Sequence, residues 1–309
     1  MARVVIAFGL VYVIWGSTYL AIRILVSSIP PALAAALRFT IAGPLLLAVM
    51  RLTGRHLLAP ARELASLALI GFLLLVCGNG LVVWSEQHVA SGLAALMVAT
   101  VPLWISVLGT VLPGGERVAL RGWVGIGLGM VGLGALVWPE LTAGFGSQVR
   151  GEAALVLASL SWACGSLYAK RRPWTLSPLV ATGWEMLFAG IVLLVIAVGA
   201  GNLSHFAPTR ASWLALAYLV VFGSCVAFSA YIWLLHNVPA PKVTTYAYVN
   251  PVIAVLLGCG VAGEPFTMSM AVGTPIIIAA VILVTSANVH TEPRVARPKA
   301  TDQVARTAA

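Results

Sequence analysis

The chain repeats itself at an offset of 147 to 149 residues, and no other feature constrains its fold as much. Trp15-Gly16-Ser17-Thr18-Tyr19, with Arg23, stands against Trp162-Ala163-Cys164-Gly165-Ser166, with Lys170. At the same spacing Pro31 meets Pro178, Arg38 meets Glu185, and Ala42-Gly43 meets Ala189-Gly190. Further along, Trp84 meets Trp233, Pro102 meets Pro251, and Gly115-Glu116 meets Gly263-Glu264. Each copy holds five long apolar runs. An odd number of membrane crossings turns the second copy upside down. Inverted repeats of this kind build secondary transporters, whose substrate site lies near the midplane between the halves.

Composition agrees with a membrane chain: 61% of residues are hydrophobic, 9% are charged, and mean hydropathy is +1.01. A span needs about 20 mostly apolar residues. Ten candidates satisfy that length: 4–26, 31–50, 65–84, 92–112, 120–138, 151–170, 177–199, 211–235, 241–262 and 268–287. Only helices or closed barrels satisfy the backbone in lipid, and these runs do not alternate as barrel strands do. The expected fold is therefore an all-α integral membrane protein of ten transmembrane helices, arranged as two inverted five-helix repeats. Residues 1–147 form the first repeat (helices 1–5), 148–288 the second (helices 6–10), and 289–309 a disordered cytoplasmic tail.

Fourteen Lys and Arg residues fall on the N-terminal side of the bilayer in this topology, against Arg150, Arg210 and the span-end Arg23 on the other. The positive-inside rule then makes both termini cytoplasmic. The net charge of +9 reflects that bias and implies no nucleic-acid partner. Bilayer lipid and a small-molecule substrate are the expected partners. The first span is too long for a cleaved leader and has nine more behind it. All four cysteines lie inside spans without metal spacing, so no metal and no cofactor are expected.

Interrupted helices at matching places in the two halves point to a transport site. Thr100 and Pro102 in the fourth span, and Asn250 and Pro251 in the ninth, meet that description; each proline frees the carbonyl four residues earlier, Val98 or Ala247. Trp15 and Trp162 lie near mid-span instead of at the interface, beside Thr18 and Ser166, so that each indole is placed to line a cavity or to pack between helices. Tyr248 shares a helix face with Thr244 and Pro251, and Asn79 sits between two glycines at mid-depth. Arg38 and Glu185 are the two charges read as lying well inside spans. A direct pair between them is disfavoured by their different depths, and Glu185 is the candidate proton carrier. Glu116 and Glu264 are placed to cap the helices that follow them. Gly125, Gly129 and Gly132 form a small-residue face for close packing, within the chain or across a homodimer.

WGSTYLAIR, ALRFTIAG, VATVP, SLSWACGSLYAKR, TTYAYVNPVIAVLLG and the Gly-Glu before the fifth and tenth spans resemble the recurrent segments of the EamA family of the drug/metabolite transporter superfamily, in particular a branch of bacterial inner-membrane proteins. The resemblance runs from residue 4 to about 287. It implies a ten-helix carrier of small metabolites, often an exporter of amino acids or related compounds. It also implies a cavity between helices one, three, four, six, eight and nine, lined by the sixth-helix tryptophan, here Trp162. The expected function is a secondary transporter exporting small organic metabolites by alternating access. A multidrug or lipophilic-cation efflux carrier is the alternative; such relatives rely on a first-helix glutamate, which this first span lacks. The chain shows no nucleophile or paired-acid set for an enzyme and no ATP-binding loop.

Overall fold

The structure, a computed structural model, describes residues 2–111, 118–143, 146–238, 243 and 245–286. Glu116, Thr244 and the 289–309 tail lie outside the described residues. All described elements are helical. Among the described residues, nine helices are long and apolar enough to cross a membrane, and Tyr246–Val261 is a shorter apolar helix of 16 residues. In chain order they are α1 Ala2–Val26, α2 Pro31–Leu52, α3 Ala61–Ser85, α4 Ser91–Val111, α5 Leu120–Ala143, α6 Ser147–Lys170, α7 Pro178–Gly199, α8 Arg210–Leu234, α9 Tyr246–Val261 and α10 Met268–Ser286. Proline at the first position of α2 and of α7 starts both helices where a missing N–H costs nothing.

The two repeats meet through glycine. A Cβ on Gly43 of α2 would stand 2.7 Å from the Leu187 backbone nitrogen of α7, and one on Gly190 of α7 would stand 2.6 Å from that of Thr40. These two positions are related by the repeat, so α2 and α7 cross about the pseudo-twofold axis. On the other side α5 packs on α10. Gly125 abuts Leu283, Gly132 abuts Ile277, and Gly273 of α10 abuts Leu136. The partner of the small-residue face on α5 is thus α10 of the same chain.

Both third helices of the repeats depart from α geometry at the same place. Phe72–Asn79 in α3 and Leu219–Val226 in α8 are π-helical, and they coincide under the 147-residue offset. A π turn widens the hydrogen-bond ring and leaves main-chain acceptors for side chains to use; such turns cluster at functional sites. Here Ser161 Oγ of α6 donates to Leu73 O at 2.7 Å, and Trp15 Nε1 of α1 donates to Gly223 O at 3.2 Å. Each π segment is therefore tied to the first helix of the opposite repeat.

α4 breaks where proline dictates. Its two helical parts end at Val98 and restart at Val101, with Ala99 and Thr100 in a turn. In the second repeat Val243 is helical and Thr245 is a turn, so Pro251 lies in the second turn of α9.

Candidate functional site

A cavity of about 990 Å³ lies between the halves. Helices α1 to α4 and α6 to α10 all contribute to its wall. Of the residues singled out in the sequence, Trp15, Thr18, Arg38, Asn79, Pro102, Trp162, Ser166, Asn250 and Pro251 line it. Thr100, Tyr248 and Glu185 do not. Thr100 is buried and its hydroxyl folds back onto Met97 O at 2.6 Å, while accepting from Trp104 Nε1. On α9 the cavity face carries Tyr246, Ala247, Asn250 and Pro251, spaced three and four apart; Tyr248 is rotated about 100° from Ala247. Glu185 is half-buried, and its own carbonyl packs against Gly71 of α3.

Trp15 and Trp162 face the cavity differently. Trp15 belongs to an aromatic cluster with Phe228, Tyr231 and Tyr246, at centroid distances of 5.8, 5.1 and 5.2 Å. Edge and tilted contacts suit the ring quadrupoles and make this wall stiff. Trp162 rests on Gly78, whose Cβ would lie 3.0 Å from the indole, and no described hydrogen bond holds its nitrogen. That indole is the freer of the two to meet a ligand.

Arg38 is the one charged side chain in the described cavity wall. It is 6% exposed, its guanidinium lies 5.1 Å from the Phe39 ring centroid, and its Nε donates to Ser224 Oγ at 3.0 Å. Ser224 lies buried in the π segment of α8. Among the described residues no carboxylate comes within ion-pair distance of Arg38, Glu185 included, and Nη1 has no acceptor. The Oδ1 atoms of Asn79 and Asn250, also in the wall, are likewise without donors.

Two buried acids that the sequence did not single out, Glu86 and Glu152, lie at helix ends on the side away from the N-terminus. Glu86, just past α3, is fully buried, and neither carboxylate oxygen has a hydrogen-bond partner; Arg23 donates to its main-chain carbonyl. Burial first, then the negative charge of Glu264, push the Glu86 carboxyl well above the usual carboxylate range, against the pull of Arg23 and Arg38. Glu152 at the start of α6 is also buried. Buried acids are thus not confined to Glu185. Glu264 does not cap α10. Its carboxylate accepts from Ser91 N and Ser91 Oγ, both at 2.9 Å, and from Gly92 N at 3.3 Å. It satisfies the free amides at the start of α4, in the opposite repeat. Beside it, a Cβ on Gly92 would stand 3.1 Å from Val255 Cα of α9. Toward the other end, the cavity extends to Thr285 and Ser286 in the last described turn of α10.

Among the described residues no group of three His, Cys, Asp or Glu side chains gathers as a metal site. A ten-helix bundle of two inverted repeats around a shared cavity defines the class of membrane transporters. The model of the EamA-like transporter family matches residues 3–138 and again 149–286. This chain belongs to that family. The uncharacterized inner membrane transporter YedA of Escherichia coli (strain K12) is 42% identical over 275 residues, which are 89% of this chain and 88% of that protein. Protein PagO of Salmonella typhimurium is 28% identical over 292 residues, covering 94% and 95% of the two chains. One crystal structure aligns with a TM-score of 0.64 at 21% identity, covering 92% of this chain and 98% of that one, and shares the fold.

Proposed function

We propose that the protein is a secondary carrier that exports small organic metabolites across the bacterial inner membrane by alternating access. The observation that carries this reading is the cavity of about 990 Å³, walled by both repeats at symmetry-related positions such as Trp15 and Trp162, or Pro102 and Pro251. Its size is that of a small-molecule site. The name of the relative YedA supports the inner membrane as the location, and the Lys/Arg bias supports cytoplasmic termini. In that orientation the cavity extends toward the cytoplasm, while Glu86, Glu264 and Ser91 close the outer face. Cation efflux fits poorly, because the described wall carries Arg38 and no acid.

The test is uptake into proteoliposomes from a bacterial metabolite extract, followed by mass spectrometry. Trp162→Ala is expected to cut the flux of carried solutes at least tenfold while insertion and folding stay intact. Undiminished flux in that variant removes the cavity from the transport route.

A further inference from the structure

Arg38 poses a physical problem that the transport reading alone does not solve. A guanidinium in a membrane interior is retained when it has a partner or a function. This one has a single neutral hydrogen bond, from Nε to Ser224 Oγ, and a ring face at 5.1 Å. Its Nη1 is buried without an acceptor. The repeat does not answer the need, since the matching residue Glu185 sits off the cavity wall. Glu86 feels the charge of Arg38 but is not within ion-pair distance of it, and neither its carboxylate oxygens nor Arg38 Nη1 has a hydrogen-bond partner, so that donor stays open. A buried cation with open donors, set in the wall of an organic-sized cavity, is half of an ion pair whose other half arrives with the ligand.

The chemistry of the wall narrows the class. One positive charge matches one negative charge, and a phosphate dianion would ask for a second cation that the described wall lacks. A carboxylate matches the planar fork of a guanidinium. Ser224 holds that fork by Nε, and Nη1 is left buried without an acceptor. The two amides with open Oδ1 atoms, Asn79 and Asn250, are acceptors for any N–H or O–H that the ligand carries. The aromatic wall at Trp15 and Trp162 takes its apolar surface.

Resting on the cavity being the transport site, we propose that the carried solutes are organic monocarboxylates, whose carboxylate docks on the Nη edge of Arg38, with Ser224 as the residue that positions the guanidinium.

The experiment sorts the solutes that wild-type proteoliposomes take up from a bacterial metabolite extract by charged group, then repeats the uptake with three variants. Carried solutes are expected to bear a free carboxylate and no phosphomonoester. Arg38→Gln is expected to lose at least tenfold of that flux, with Arg38→Lys retaining part of it. Ser224→Ala keeps the charge but frees it to move, and should raise KM roughly fivefold, the worth of one hydrogen bond of about 1 kcal/mol, with little change in the maximal rate. Should Arg38→Gln fail to fold, the charge selectivity of the wild type and the KM of Ser224→Ala decide. Uptake of amines, neutral solutes or phosphomonoesters in place of carboxylates overturns the inference, as does unchanged carboxylate flux in Arg38→Gln. If Trp162→Ala abolishes flux while Arg38→Gln does not, the cavity stands and the anion site falls. If wild type carries nothing, the transport reading falls first and takes this inference with it.

Discussion

Glu86 is expected to couple the outer face to proton concentration. An acid raised by burial favours its buried state while protonated, so closure over Glu86 is strongest at low pH and weakens as pH rises through the raised value. The groups that face it are Tyr19 and Arg23 of α1, Arg38 of α2, and Glu264 between α9 and α10, with Glu152 buried nearby at the start of α6. Glu86→Gln is a permanently neutral mimic of the buried form, and is expected to flatten the dependence of flux on external pH. A pH profile parallel to wild type would assign the coupling elsewhere. Glu185→Gln tests the other candidate: loss of the dependence in that variant, and not in Glu86→Gln, would assign the coupling to Glu185. Residue chemistry was only partly legible in the sequence. Trp15, Trp162, Arg38 and the asparagines stood out because such groups are rare in apolar runs. Glu86 drew no attention because it follows the last apolar residues of α3, and only packing reveals that its carboxylate is buried without a hydrogen-bond partner.

At the level of helices, close glycine contacts and cross-repeat caps hold the bundle. Gly43→Val would drive side-chain atoms into the α7 backbone, where a Cβ already meets Leu187 N at 2.7 Å. Overpacking of this kind costs about 1–3 kcal/mol or more, so a marked loss of folded yield and melting temperature is expected in size-exclusion and thermal assays. Gly127→Ala, whose Cβ meets nothing within 4 Å, serves as the neutral control. Glu264→Ala removes the acceptor for three donors at the start of α4, and capping losses run about 0.5–2 kcal/mol. It is expected to loosen the outer face, so that a cysteine at position 91 reacts faster with an external maleimide than in the Glu264 background. The sequence placed the ten helices within a few residues, because apolar length alone sets a span. It could not place the π segments, since Phe-Leu-Leu-Leu-Val-Cys-Gly-Asn has no apolar period to break. Nor could it assign Glu264 its helix, which starts 173 residues away in the chain.

For the whole molecule, alternating access requires one cavity that faces the two sides of the membrane in turn. The pseudo-twofold axis supplies two matching routes, and on the side away from the N-terminus α4 packs closely on α9 at Gly92 and Val255. A Cβ at position 92 standing 3.1 Å from Val255 Cα is within reach of a disulfide, whose Cβ atoms lie about 3.5–4.5 Å apart. In a background with the four native cysteines replaced, Asn79→Cys reports on access to the cavity through its reaction with a membrane-impermeant maleimide. Without the lock, labelling is expected from both sides of the bilayer. With Gly92→Cys and Val255→Cys oxidised, labelling is expected from the cytoplasmic side alone, with external labelling restored by reductant. External labelling that persists through the oxidised lock would contradict alternating access through this cavity.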